Sequence, residues 1–528
     1  MREPELPTRE QEAIAEMAAT SLSRGVGVAL AGVYFVLVLL WWGAELLVGG
    51  IEWRALGVSA ASRGKAGSSL LALNRTLGAA AAQIEHAFDR ESAFTRTVRG
   101  PVQALLTGLL GAGNEQAYPG RDGWVIFRED FDYLTGPGFL EPRRLARPGA
   151  DPRKAIVAMQ RELADRGIVL LLLPVPVKPA IHPEVLGQDR RSAPLRNRSE
   201  IALLGELDRA GVVALDLGPE LAARARGGES QFLRGDSHWR PEAVEHTARL
   251  LAVRLRELAP LPPPSSACVR TEARVSAAGD SIQLLGLPRG SRLFVDEEVT
   301  LRQVGSLEGD PWRPTRGAPV LLLGDSFSNI YSNPELGWGQ GAGLAEQLSC
   351  ELGLPVDRIA RNAGGARGAR EELAGELARG VDRLSGVRAV VWQFAARELA
   401  TGDWTPIELR LGRESPHAPI DSDRAEVLRG VARAVAALPD ARRAPYREAL
   451  GAVELVLDEG GSALVYLWAL RDGSPGELAK VRPGQRLELV VAPWSAQEAE
   501  LGSLQRMELP GESWWGWPVY VTRDQEGR

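Results

Sequence analysis

Continuous apolar runs closed by polar turns recur through the middle of this chain, with helical spacing between them. Residues 168–173, 212–217, 320–323 and 387–394 are such runs. A strand that is apolar on both faces belongs inside a parallel sheet covered by helices. Between the runs, 152–166, 200–210, 242–258, 343–352 and 369–378 carry helical spacing; Gly167 ends the first of these and Pro241 opens the third. Strand alternating with helix predicts an α/β domain with a mainly parallel sheet and flanking helices. At 528 residues the chain is too long for one compact core, so further regions are expected on either side.

The two ends read differently from the middle. Past residue 401, the segments 453–457, 463–470 and 486–491 are strand-like and separated by Gly, Asp and Pro turns, which predicts a β-rich C-terminal domain over 403–528. Its Trp514, Trp515 and Trp517 suit a sugar-stacking platform or, more commonly in a small β domain, the core. From the Pro262-Pro263-Pro264 break, the stretch 260–317 reads as a β-containing insertion, with strands expected at 292–295 and 299–304. At the N-terminus, residues 25–44 carry no charge, and twenty residues of helix span about 30 Å, the thickness of a bilayer's hydrocarbon layer. A transmembrane anchor is therefore expected over 25–48, with Trp41-Trp42 at an interface. The preceding 1–24 is rich in Glu, unlike a signal peptide, and reads as a tail before the anchor, cytoplasmic if the chain follows the family resemblance given below. Residues 49–118 read as a largely Ala/Leu-rich helical neck. Arg2, Arg9 and Arg24 balance Arg54, Arg63 and Lys65 across the apolar run, so charge alone leaves its orientation open.

A net charge of −6 with interspersed Arg and Glu gives no basic footprint for nucleic acid. Two cysteines, Cys268 and Cys350, make neither a disulfide framework nor a zinc site. They form one bridge in an oxidising compartment or remain two buried thiols, the plainer reading.

Gly-Asp-Ser occurs three times. Gly324-Asp325-Ser326 follows the apolar run 320–323, the place where α/β hydrolytic folds expose a nucleophilic Oγ. Gly235-Asp236-Ser237 runs into His238-Trp239, and its Asp-x-His offers a base with an orienting acid. Gly279-Asp280-Ser281 lies in a polar, turn-prone stretch and is assigned no role. The expected catalytic residues are Ser326 as nucleophile, His238 as base and Asp236 as its acid; Asp325 shapes the turn. Ser326 would also cap a helix whose N–H groups can serve an oxyanion.

The segments Gly120-Arg121-Asp122-Gly123-Trp124, Leu173-Pro174-Val175-Pro176-Val177-Lys178, Asp236-Ser237-His238-Trp239, Gly324-Asp325-Ser326-Phe327-Ser328 and Val391-Trp392-Gln393-Phe394 occur in that order. Together they resemble the SGNH-hydrolase-like polysaccharide O-acetyltransferases of the alginate acetylation machinery, over roughly residues 119–402. The resemblance implies a permuted order with Asp and His before Ser, and a periplasmic catalytic domain held by a single inner-membrane helix. It also implies a membrane-bound O-acyltransferase partner that exports acetyl groups. Arg361-Asn362-Ala363-Gly364-Gly365-Ala366 resembles the family's third polar block, in which Asn362 and the Gly364 amide would serve the oxyanion. Trp338 would shape the substrate mouth; Trp392 and Arg397 flank the last strand's end, where ligands gather in open sheets, although core packing and a surface salt bridge explain these two equally well.

The expectation is a membrane-anchored, extracytoplasmic serine O-acetyltransferase that takes an acetyl donor and a polysaccharide acceptor and needs no metal or organic cofactor. The alternatives are an acetylesterase using the same residues, or a non-catalytic polysaccharide-binding scaffold of an export complex.

Overall fold

A computed structural model of the protein describes residues 25–36, 93–189, 193–288, 290–362, 364–412, 426–439, 446–502, 504–509, 514–515 and 517–523. The chain divides into two units, Met1–Leu105 and Leu106–Arg528. In the first, residues 25–36 are helical, with Val28, Val33, Tyr34 and Phe35 exposed. The rest of the expected anchor, 37–48, lies outside the described residues, as does 49–92 of the expected neck. Among the described residues no helix is long and apolar enough to cross a membrane. Of the expected neck, Ala93–Leu110 is a helix with Leu105, Leu109 and Leu110 exposed, whereas 111–118 is not helical and runs into a strand that starts at Ala117.

In the second unit, β1 (Ala117–Pro119) and β2 (Val125–Phe127) form a small antiparallel pair. The parallel sheet takes β3 (Val169–Val175) and β4 (Val213–Ala214). An antiparallel hairpin, β5 (Val269–Ala277) and β6 (Glu297–Gly305), interrupts it. The sheet resumes with β7 (Val320–Gly324), β8 (Val356–Ala360) and β9 (Ala389–Ala395), in the order β4-β3-β9-β7-β8, every neighbour parallel. The insertion thus holds a hairpin, but 292–295 is not a strand: Phe294 packs beside Leu285, Ala117 and Val125 instead.

Period-two alternation sends each strand's side chains to two separate cores. Leu170, Leu172, Leu321, Leu323, Val390, Trp392 and Phe394 face one; Leu171, Leu173, Val320, Leu322 and Val391 face the other. The second face is covered by the helices Pro241–Leu258 and Leu344–Leu352, the first by Pro152–Ala164 and Gly365–Ala378. Cys268, just before β5, is disulfide-bonded to Cys350 of helix Leu344–Leu352 across 82 residues, in place of two separate thiols. In the chain-entropy account, closing a loop of that length contributes roughly 4–5 kcal/mol.

The C-terminal part contains β10 (Glu426–Val435), β11 (Ala449–Leu457), β12 (Ser462–Arg471), β13 (Ser474–Pro475), β14 (Arg486–Pro493), β15 (Gln505–Met507) and β16 (Val519–Thr522). Pairings run β10-β11-β12-β16-β14 and return from β14 to β10, closing a barrel. Leu428, Val453, Leu455, Val465 and Val491 pack together as one core of the barrel. Leu450, Tyr466, Trp494, Trp514 and Trp515 instead join the core beneath the parallel sheet. The C-terminal tryptophans Trp514 and Trp515 therefore fill a core and offer no stacking surface.

Candidate active site

In a parallel sheet every strand ends at the same edge, so residues following β3, β7, β8 and β9 converge there. Lys178, Ser326, Asn362 and Arg397 are those residues. At Gly324 a side chain would collide with Ser328 Oγ, and would come within 3.0 Å of Gln393 Oε1, which leaves room for glycine only. Asp325 is buried and wholly occupied by the turn. Its Oδ1 accepts the Phe327 N–H (2.8 Å) and Gln393 Nε2–H (2.8 Å), and its Oδ2 accepts the Ala395 N–H (3.0 Å). Ser326, partly exposed, thus opens the short helix Ser326–Asn329 on a fixed base.

Asp236 and His238 lie on a loop closed by an antiparallel bridge between Phe232 and Trp239. Trp239 ties that loop to the helix Ser326–Asn329 by donating its Nε1–H to Phe327 O at 2.9 Å, and Tyr331 Oη–H donates back to Trp239 O at 2.6 Å. Across this joint His238 Nε2 lies 2.8 Å from Ser326 Oγ, and His238 Nδ1 lies 2.6 Å from Asp236 Oδ1. The other Asp236 oxygen accepts Trp338 Nε1–H (2.8 Å) and the Asp280 N–H (2.9 Å).

These contacts set the electrostatics. Burial raises the cost of the Asp236 carboxylate, but His238 and the hydrogen-bond donors outweigh it and hold the acid well below the usual carboxylate range. Burial opposes a charged His238, yet the Asp236 carboxylate prevails and its pKa lies above the ordinary histidine value. The surroundings therefore favour the protonated imidazolium of His238.

Several expected site residues take other positions. Trp338 is fully buried beneath Asp236, so it orients the acid and forms no mouth. Trp392 points to the opposite face of the sheet, packed with Phe394, Trp404 and the Arg370 guanidinium, which makes it a core residue. The Gly364 N–H donates to Arg361 O at 3.1 Å, so that amide is committed to a turn and not to an oxyanion. Asn362 Oδ1 accepts from Asn329 Nδ2 at 3.0 Å, which fixes its amide at the sheet edge next to the β7 turn. Arg397 stays at the site. It spans the rings of Phe127 (5.0 Å) and Phe327 (5.5 Å) and pairs with buried Asp130 at 2.9 Å.

Two groups escaped the sequence reading as site members. Lys178 is fully buried, with Nζ donating to Val125 O (2.6 Å) and Arg234 O (3.1 Å), and burial pulls its pKa down to about 8. Asp280, in the Gly-Asp-Ser copy that looked inert, lies against the copy that carries His238. Only the repeated tripeptide hinted at this. The ligand-type atoms of Asp236, His238 and Asp280 lie within 4.8 Å of one another, but His238 Nδ1 must carry a proton to bond Asp236 and has no lone pair for a cation. Glu372, Glu376 and Glu498 also cluster, and Arg506, Arg316 and Arg383 match their charge.

A serine on a tight turn after a central parallel strand, hydrogen-bonded to a histidine that is held by an aspartate, marks the class of α/β proteins built for acyl transfer. Residues 117–396 match the family described as SGNH hydrolase-like domain, acetyltransferase AlgX; the match covers more than half of the chain, which belongs to this family of acetyltransferases. A curated relative from Pseudomonas aeruginosa, named "Probable alginate O-acetylase AlgJ", is 28% identical over 285 residues, covering 51% of this chain and 70% of that protein. Its namesake from Pseudomonas putida is 28% identical over 364 residues, covering 67% and 87%. Among solved structures, the O-acetyltransferase domain of Pseudomonas putida AlgJ matches with a TM-score of 0.43 at 23% identity, over 54% of this chain and 92% of that one. Pseudomonas aeruginosa AlgX matches with a TM-score of 0.36 at 16% identity, over 77% and 90%.

Proposed function

We propose that this chain is a serine O-acetyltransferase that acetylates hydroxyls of an exported or cell-surface polysaccharide through an acetyl-Ser326 intermediate. The observation that carries the reading is His238 reaching Ser326 Oγ at 2.8 Å on one side and Asp236 at 2.6 Å on the other. Membership of the acetyltransferase family supports the transferred group, and the names of the curated relatives support a polysaccharide acceptor.

In the first half-reaction, Ser326 Oγ forms a bond to the acetyl carbon of the donor while its proton passes to His238 Nε2. The tetrahedral oxyanion takes hydrogen bonds from the Ser326 N–H and the Asn362 amide. His238 returns the proton to the departing donor group as its bond to the acetyl carbon breaks. In the second, a sugar hydroxyl gives its proton to His238 and attacks the acetyl carbon; Ser326 Oγ leaves and is reprotonated. Asp236 holds the imidazole in one tautomer throughout.

The catalytic domain works outside the cytoplasm, tethered by residues 25–48 and fed by a membrane-bound O-acyltransferase partner. The Cys268–Cys350 bridge supports an oxidising compartment. The test mixes the full-length chain with an activated acetyl ester and a panel of oligosaccharides, and mass spectrometry follows acetyl on Ser326 and on sugar. Acetylated sugar that disappears with Ser326→Ala is the expected result. Free acetate without acetylated sugar would make the protein an esterase. Activity untouched by Ser326→Ala would remove the triad.

A further inference from the structure

We infer that Asp280 is a positioning residue of the acyl-transfer site, a second carboxylate that clamps the Asp236-Ser237-His238 turn and faces His238 from beside Asp236. The inference rests on the triad reading above and extends it to a residue 44 positions downstream of Asp236.

The geometry is reciprocal. Ser237, between the acid and the base, donates its N–H to Asp280 Oδ1 and its hydroxyl to Asp280 Oδ2, both at 2.6 Å. The Asp280 N–H donates in return to Asp236 Oδ2 at 2.9 Å. Asp280 Oδ2 then stands 3.6 Å from His238 Nδ1. The two Gly-Asp-Ser copies meet through their glycines: Gly279 has φ +93°, and a side chain there would come within 2.5 Å of Gly235 O. The same Gly235 carbonyl accepts the Ile282 N–H at 3.1 Å. A carboxylate that merely capped its own short helix would need none of the Ser237 contacts.

Each contact bears on the reaction. Asp236 and His238 are neighbours on one turn, so their mutual orientation depends on the residue between them, and Asp280 fixes that residue by two bonds. When His238 accepts the Ser326 proton, the new charge meets Asp236 at 2.6 Å and Asp280 at 3.6 Å. The surrounding charges are Lys178, whose Nζ bonds Arg234 O, Glu297, which accepts the Arg234 N–H, and Asp130 with its Arg397 partner. Arg397 acts against the imidazolium and Asp280 with it; burial and Asp236 hold Asp280 itself above the usual carboxylate range.

The experiment uses the full-length chain and two readouts. The first is the titration of His238, followed by NMR of labelled histidine Cε1 in Ser326→Ala protein with and without Asp280→Asn. The second is the pH profile of acetyl transfer in Asp280→Asn protein with Ser326 intact. Asp280→Asn is expected to lower the His238 midpoint by about one pH unit, and to lower kcat about tenfold with KM held within about twofold. An unmoved midpoint together with an unchanged kcat would overturn the role. If Asp280→Asn loses cooperative unfolding, Asp280→Glu replaces it. That variant keeps the charge on a longer arm, so the midpoint should stay while kcat falls; an unchanged kcat overturns the clamp. Failure of the underlying reading is separate: Ser326→Ala protein would keep transferring acetyl, while the midpoint shift would still report on Asp280.

Discussion

Buried charge is handled in opposite ways at the sheet edge and at the joint between the sheet and the barrel. At the joint, Arg383 is 3% exposed and meets Asp357 (2.5 Å), Glu376 (3.0 Å) and Glu498 of the barrel helix Trp494–Leu501 (2.9 Å). Arg361 pairs with Glu508 at 2.9 Å, and Arg506 with Glu372 while stacking on Trp494. Each of these three cations meets partners from both regions. At the sheet edge two carboxylates face one imidazole nitrogen, and the other nitrogen points at Ser326 Oγ. Compensated charge fixes a joint. Two carboxylates beside one imidazole nitrogen favour the ring's taking up a proton.

That contrast can be broken by removing one group from each side. The largest effect belongs to Ser326→Ala, which should lower acetyl transfer by about 10⁴-fold or more, roughly 5.5 kcal/mol of barrier, and abolish the acetyl-enzyme seen by mass spectrometry. Asp236→Asn should cost about 10³–10⁴-fold in kcat, because an amide leaves His238 in the wrong tautomer, with the melting temperature changed far less than the rate. Across the molecule, Arg383→Met should leave Asp357, Glu376 and Glu498 buried and unmatched and destabilise the fold by about 3–5 kcal/mol, read as a lower denaturation midpoint. A rate loss in Arg383→Met larger than in Asp236→Asn would erase the distinction between the two regions.

pH sharpens it. The activity should have an acid limb centred above about 6.5, since His238 is raised and must be neutral to act. The stability linkage has the same origin. A raised His238 adds stability below its unfolded value of about 6.5 that is lost as pH rises through the folded value, and a depressed Asp236 adds stability above about 3.9 that is lost as pH falls. The difference in melting temperature between the parent and His238→Gln should therefore narrow toward both extremes. The smallest effect is expected at the exposed pair Arg429–Glu488 on the barrel surface, where Arg429→Ala should leave the melting temperature unmoved.

The α/β core was legible because fully buried parallel strands must be continuously apolar: 168–173, 320–323 and 387–394 all became strands of one sheet. The 292–295 stretch failed as a strand because a short apolar run does not say whether it pairs or packs under a loop, and Phe294 packs. That Ser326, His238 and Asp236 would meet was legible in part because local spacing already sets Asp236 against His238. Trp338 and Trp392 were misplaced because motif position does not give the direction of a side chain. Trp392 falls on the face of β9 that looks into the core, and Trp338 folds back beneath the acid.

The strand-and-helix alternation, the turn that presents Ser326 and the Asp-x-His pair could all be read locally, since each depends on residues within a few positions of one another. Three outcomes came only with folding: a second Gly-Asp-Ser copy lies against the site, Cys268 and Cys350 are bonded, and the barrel shares a core with the sheet. Those outcomes depend on contacts between residues tens to hundreds of positions apart, and local propensity carries no record of which distant surfaces a chain will bury together.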